Sequence, residues 1–305
     1  METGINERNQ EQMIEENAEA FIIVDSKTDD FSRLLEIQQN SELGKDKNGK
    51  SKMVYEVIRL IDGVPLFFED HYERMTHSFA AAEGKPASGP SNRNSLISSE
   101  ELHKQIDQLA EANGKQNCNV KFIAFTGDSQ YKTVGYVSKN SYPTAEMISC
   151  GVPTKLYWIE RENPNIKLVD LDYKEKINRI KSENGVYELL LVDRNRNLRE
   201  GSVSNLFFVK DNVVYTTPAE KVLKGITRKY IMETCIDSGY PVKEEFITVD
   251  ELDEVEGVFI SGTSPKVLPI SSIDNREYSS AQHPVIVKIR DTYDRLLREY
   301  IDKHR

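Results

Sequence analysis

The 305-residue chain is poor in three features that each mark a class of protein. Cysteine is scarce: Cys118, Cys150 and Cys235 are odd in number and form no Cys-x-x-Cys pair, which argues against a disulfide framework and a thiolate zinc site. They read as reduced thiols of a cytosolic protein, and no metal site is expected. A basic excess is missing, since 40 Lys and Arg stand against 50 Asp and Glu for a net charge of −10. General nucleic-acid binding needs a basic face and is disfavoured. Long apolar runs are missing too: no stretch of 18 apolar residues occurs, and the Glu/Asn/Gln-rich start has no apolar h-region. Neither a membrane span nor export is expected, and the expected location is cytoplasmic.

The length is enough for one large domain or two of ordinary size, with ample core for an enzyme. Residues 1–20 read as a polar extension and 40–52 as a mobile Gly/Lys/Ser loop. Phe21 to Val24 forms a candidate first strand. Met53 to Leu60, a turn at Asp62-Gly63 and Val64 to Phe68 predict a hairpin, with Tyr55, Val57 and Arg59 on one face and Val54, Glu56, Ile58 and Leu60 on the other. Helices are predicted from His71 to about Glu83 and from Ser98 to about Asn113, separated by a loop over Gly84 to Asn94. Strands follow at Val120 to Phe125 and Thr133 to Val137.

Further on, a strand is predicted at Thr154 to Ile159, a long helix at Leu171 to Asn184, and strands at Tyr187 to Asp193, Leu206 to Val209 and Val213 to Thr217. The simplest organisation is a small α+β domain at 21–145, a linker at 146–153 and a larger domain at 154–305.

Chemistry concentrates between Glu200 and Arg228. Glu200 is read at the mouth of the Leu206 to Val209 strand, and Leu223-Lys224-Gly225-Ile226-Thr227-Arg228 leads into a helix that Gly239 stops. A helix start has unpaired N–H groups and partial positive charge, so Gly225, Ile226 and Thr227 suit a phosphate. The same pattern also makes an ordinary loop and helix start. Val258 to Pro265 ends a strand in Gly262, Thr263 and Ser264, which is either a second anion nest or a plain turn. Lys167 alone is one lysine among many.

The order of Lys167, Tyr187-Glu188-Leu189-Leu190, Glu200 to Phe207, Leu223 to Arg228 and Gly262-Thr263 resembles the class IV aminotransferases over about residues 53 to 270. These are fold-type IV pyridoxal-phosphate enzymes, including branched-chain and D-amino acid aminotransferases and aminodeoxychorismate lyases. The resemblance implies an α+β, two-domain fold with a smaller N-terminal α/β domain and a larger, β-barrel-like, cofactor-binding C-terminal domain. It implies pyridoxal 5'-phosphate as cofactor, held by a Schiff base on Lys167, which also shuttles the substrate proton. Glu200 matches the carboxylate that keeps the pyridine nitrogen protonated. Ile226, Thr227 and Thr263 match phosphate ligands, with Ser204, Asn205, Gly225 and Gly262 in the same motifs, and Leu223 matches the side chain packed on the ring.

Arg74 matches the family's phosphate-binding arginine and Tyr55 an active-site tyrosine, while Val57 and Arg59 are read as substrate-binding, Arg59 toward a carboxylate. The implied partners are an amino acid and a 2-oxo acid, and the implied assembly is a homodimer. The chain departs from the family at three places. Gly49-Lys50-Ser51-Lys52 stands where Gly-Asp-Gly is usual, Thr126-Gly127-Asp128-Ser129 where D-amino acid enzymes place Arg-x-His, and Asp172 where branched-chain enzymes keep a tyrosine. Transamination is the leading reading. Pyruvate elimination on the same lysine, and a non-catalytic binding relative, are the alternatives.

Overall fold

The computed structural model describes residues 21–39, 53–84, 96–126, 132–139, 142–161 and 164–305. The polar extension, the 40–52 loop and nearly all of the Gly84 to Asn94 loop lie outside these residues. The chain divides into two compact units, Met1–Lys139 and Asn140–Arg305.

The first unit runs β1 (Phe21–Val24), β2 (Lys27–Asp30), α1 (Ser32–Gln39), β3 (Met53–Ile61), β4 (Val64–Pro65), α2 (Phe68–Ala82), α3 (Ser99–Ala112), β5 (Cys118–Phe125) and β6 (Thr133–Ser138). Its six strands pair in the order β2-β1-β6-β5-β3-β4, and every pairing is antiparallel. In β3 burial alternates strictly, with Val54, Glu56, Ile58 and Leu60 buried. Register places Val54 beside Ala124, Glu56 beside Phe122 and Ile58 beside Val120, so this face is the core. The alternation expected from the sequence therefore holds.

The second arm of the predicted hairpin forms but is short, pairing with β3 only at Val64 and Pro65. The strand ends at Pro65, and a helix begins at Phe68 after Phe67 takes a left-handed conformation at φ 52°. Glu69 and Asp70 fall in that helix's first turn, where carboxylates are favoured. Leu66, Phe67 and Phe68 are buried at the helix entrance, so an apolar run that reads as strand serves as a turn and a helix start. The Asp62-Gly63 turn forms as expected, both residues at positive φ. Ser98 caps α3, its hydroxyl accepting from the Glu101 N–H at 3.2 Å.

The second unit runs α4 (Ala145–Cys150), β7 (Val152–Trp158), α5 (Leu171–Asn184), β8 (Glu188–Val192), β9 (Leu198–Gly201), β10 (Asn205–Lys210), β11 (Val213–Thr216), α6 (Ile226–Asp237), β12 (Val242–Glu244), β13 (Gly257–Gly262), β14 (Lys266–Ile273), β15 (Arg276–Glu277) and α7 (Pro284–His304). Residues 146–153, read from the sequence as a linker, carry most of α4 and the start of β7. The nine strands form one mixed sheet, ordered β12-β11-β10-β13-β14-β7-β8-β9, with β15 on β14. Strands β7 and β8 are parallel, so α5 is the crossover helix that joins them. Asp170 caps its start and Gly185, in the left-handed region, ends it.

One apolar cluster takes side chains from β7, β8, β9, β10, β13 and β14, including Leu156, Leu190, Leu198, Phe208, Ile260 and Leu268. The sheet thus curls around a shared interior, the half-barrel expected of the larger domain. Outside that cluster Phe207 and Phe259 stack at 4.8 Å.

Candidate active site

Glu200 lies inside β9, not at the mouth of the following strand as the sequence suggested. Its antiparallel pairing with β8 buries the carboxylate to 3% exposure. Arg161 Nη1 donates to Oε1 at 3.2 Å and the Leu223 N–H donates to Oε2 at 3.1 Å. Burial pushes the carboxyl's pKa up. Arg161, the Leu223 N–H and the charge of Lys167 pull it back, yet it stays above the ordinary carboxylate value. Lys167, half-buried in the segment before α5, is thus within electrostatic reach of Glu200.

The anion turn is joined to this carboxylate through Leu223. Asn205 Nδ2 donates to the Leu223 carbonyl at 2.8 Å, and a Cβ at Gly225 would stand 2.1 Å from Asn205 Oδ1. A side chain there would displace the Asn205 amide from its bond to Leu223. Gly225 then opens α6 without a side-chain cap, while Ile226 and Thr227 in the first turn are buried. An uncapped, buried helix start directs its first N–H groups at a common point, as a phosphate oxygen requires.

Ser204 turns its hydroxyl to Glu188 Oε2 at 2.9 Å. Gly262 ends β13, its Cβ position 3.9 Å from the Val203 carbonyl, so the Gly262-Thr263 turn adjoins the Gly201–Ser204 turn. Within the second unit, the structure therefore gathers Glu200, Ser204, Asn205, Leu223, Gly225, Ile226, Thr227, Gly262 and Thr263 along connected turns, with Lys167 in reach of their carboxylate.

In the first unit, Tyr55, Val57 and Arg59 share the half-buried face of β3. Lys121 of β5 pairs with Val57 and so lies on that face, its Nζ 4.6 Å from the Tyr55 ring centroid and 5.9 Å from that of Tyr136. Burial pushes the pKa of Lys121 down. Arg74 lies on the opposite side of β3, where its Nε and Nη2 each reach a Glu56 oxygen at 2.7 Å, and His71 Nδ1 lies 2.8 Å from Oε2. Burial opposes the charge on Glu56, but Arg74 and then His71 overcome it and hold the carboxyl well below its usual range.

Arg161, Tyr173 and Glu188 are site-lining residues that the sequence reading did not assign. Arg161 sits in the charged run Glu160-Arg161-Glu162, indistinguishable there from a solvated surface. Tyr173 stands one position beyond Asp172. Its hydroxyl lies 3.5 Å from the Ser202 carbonyl and its ring 6.0 Å from the Arg161 guanidinium, in surroundings where burial raises the phenol's pKa. Glu188 had a signal, a lone carboxylate at the head of the apolar strand Leu189-Leu190-Leu191-Val192. Among the described residues no group of three or more His, Cys, Asp or Glu could hold a metal, and no helix is long and apolar enough to cross a membrane.

Residues 53–273 match the family described as amino-transferase class IV. The D-alanine aminotransferase of Bacillus licheniformis is 28% identical over 241 residues, covering 74% of this chain and 81% of that protein. A probable branched-chain-amino-acid aminotransferase of Rickettsia bellii (strain RML369-C) is 27% identical over 268 residues, covering 81% and 88%. Among solved structures, the branched-chain aminotransferase of the thermophilic archaeon Thermoproteus uzoniensis with norvaline has a TM-score of 0.73 at 22% identity, covering 93% of this chain and 97% of that one. The PLP form of the Thermobaculum terrenum branched-chain enzyme has a TM-score of 0.74 at 18% identity, covering 93% and 96%. The solved structures share the fold-type IV architecture, and the family match runs through the strand of Tyr55, Lys167, Glu200 and the Gly225 turn: the chain belongs to the class IV aminotransferases.

Proposed function

We propose that this class IV aminotransferase uses pyridoxal phosphate carried on Lys167 to move an amino group between an amino acid and a 2-oxo acid. The observation that carries the reading is the Leu223 N–H donating to Glu200 Oε2 at 3.1 Å, two residues before Gly225. It ties a buried carboxylate to an uncapped helix start, as a cofactor with a basic ring nitrogen at one end and a phosphate at the other would need.

Pyridoxal phosphate, when bound, supplies an electron sink for the carbanion at the substrate Cα. Glu200 would face the ring nitrogen as an ionised carboxylate and keep it protonated, and a carboxylate made more basic by burial would accept the ring N–H more strongly than an exposed one. The Ile226 and Thr227 N–H groups and the Thr227 and Thr263 hydroxyls would hold the phosphate, and Leu223 would cover the ring. Lys167 Nζ takes the proton from the substrate Cα and returns it. The substrate roles of Tyr55, Val57 and Arg59 and the phosphate role of Arg74 rest on the family resemblance. A cytoplasmic homodimer belongs to the same reading.

Purified protein is expected to be yellow, and Lys167→Ala to lose the visible band. A colourless wild type that binds no pyridoxal phosphate overturns the reading. Amino-group transfer to 2-oxoglutarate, without pyruvate release from aminodeoxychorismate, separates it from the lyase alternative.

A further inference from the structure

Glu188 heads β8, is 1% exposed, and faces the turn that follows Glu200. Its Oε1 accepts from its neighbour's Leu189 N–H at 2.9 Å and, through a short hydrogen bond, from Ser202 Oγ. Its Oε2 accepts from the Val203 N–H at 3.3 Å and from Ser204 Oγ at 2.9 Å. Lys181, in the last turn of α5, brings Nζ to 3.7 Å from Oε1. The turn is molded closely to this carboxylate: a Cβ at Gly201 would stand 2.0 Å from Ser204 Oγ and 3.1 Å from Glu188 Oε2.

Each oxygen therefore meets one backbone N–H, which can only donate. The two serine hydroxyls can rotate, but the two N–H groups cannot. A glutamine at this position would present its amide NH2 to one of them whichever way it turned, leaving a buried donor facing a donor. The site requires an acceptor at both ends, which among side chains of this size is a carboxyl group.

We propose that Glu188 is a positioning residue for the cofactor, acting through the Gly201–Ser204 turn. That turn is bounded by Glu200 on one side and by Asn205 on the other, and Asn205 carries the Leu223–Gly225 segment through its bond to the Leu223 carbonyl. Glu188 touches no reacting atom. It sets the direction of the Glu200 carboxylate and the spacing between that carboxylate and the anion turn, so that ring nitrogen and phosphate are met at once. The inference rests on the proposed pyridoxal-phosphate function.

The test compares wild type with Glu188→Gln, Ser202→Ala and Ser204→Ala. The readouts are the coenzyme dissociation constant by fluorescence titration of the apoprotein, kcat and KM for an amino acid, and the thermal midpoint of each apoprotein. Glu188→Gln is expected to weaken coenzyme binding and lower kcat by about tenfold or more, with KM for the amino acid nearly unchanged. The serine variants, which leave the carboxylate in place and are expected to fold even where Glu188→Gln does not, are expected to lose a smaller factor each. Their effects combine less than additively with Glu188→Gln, because they act through the same contacts. Wild-type coenzyme affinity and turnover in folded Glu188→Gln, or in both serine variants, overturns the role of Glu188. A wild type that binds no coenzyme overturns the underlying function instead, so the two failures are distinguishable.

Discussion

Arg161 donates to Glu200 across 3.2 Å, and its charge is the largest influence opposing burial at that carboxylate. Arg161→Met should push the Glu200 pKa further up. A raised carboxyl pKa contributes stability that is full below the unfolded value and lost as pH rises through the folded one, so the apoprotein variant should lose stability most at neutral pH. With coenzyme bound, the acid limb of the kcat profile should move to higher pH. A profile that superimposes on wild type would show that Arg161 leaves Glu200 unaffected.

Glu56 is fully buried between Arg74 and His71. Its depressed pKa means that the stability it contributes is present above the unfolded value of 4.5 and is lost as pH falls below it. Glu56→Gln removes the buried charge that Arg74 and His71 face and should cost about 3–5 kcal/mol in urea unfolding at neutral pH. The difference from wild type should shrink progressively below the unfolded pKa. A variant equal to wild type at neutral pH would refute the coupling.

Gly225→Ala places a methyl group 2.1 Å from Asn205 Oδ1, so the Asn205 amide must shift away from its bond to the Leu223 carbonyl. Asn205→Ala removes the donor to the Leu223 carbonyl and is expected to cost about 1–3 kcal/mol. Both should weaken coenzyme binding, measured by titration of the apoprotein. Gly239→Ala, at the far end of α6 with φ 84°, should lower the thermal midpoint while leaving coenzyme affinity unchanged.

Of the three cysteines, Cys150 is exposed while Cys118 and Cys235 are buried. Burial pushes the Cys235 thiol up to about 12, and raises that of Cys118 as well. A thiol reagent should modify one cysteine per folded chain and three after denaturation. Rapid labelling of Cys235 in the native protein would show that α6 opens readily.

Where a residue's surroundings are local, the sequence was readable. The alternation of β3, the Ser98 cap and the bounds of α5 follow from neighbouring residues alone, whereas Glu200 and Gly225 take their roles from the family resemblance, because their spacing also fits an ordinary loop and helix start. Strand β2 was not readable because Lys27–Asp30 is exposed throughout and is held by backbone pairing to β1. Phe67 breaks an apolar run by adopting a left-handed backbone, a choice no side-chain pattern announces. Arg161 gains meaning only through a carboxylate brought near by the fold. Helix α7 is a different case: Val285, Ile286, Ile289, Tyr293, Leu297 and Ile301 recur at helical spacing and are buried, so its signal was present and went unread.

The position of β14 has a consequence for assembly on the ribosome. Among the described residues this strand joins β7 to β13, pairing Ile270 with Val152. Until residues 266–273 emerge, β7 offers an open edge, and the half of the sheet bearing Glu200 lacks that link to the half bearing the Gly262 turn. Closure must therefore wait for those residues, and the slow, long-range pairing of β14 should govern when a nascent chain becomes competent to take up a coenzyme.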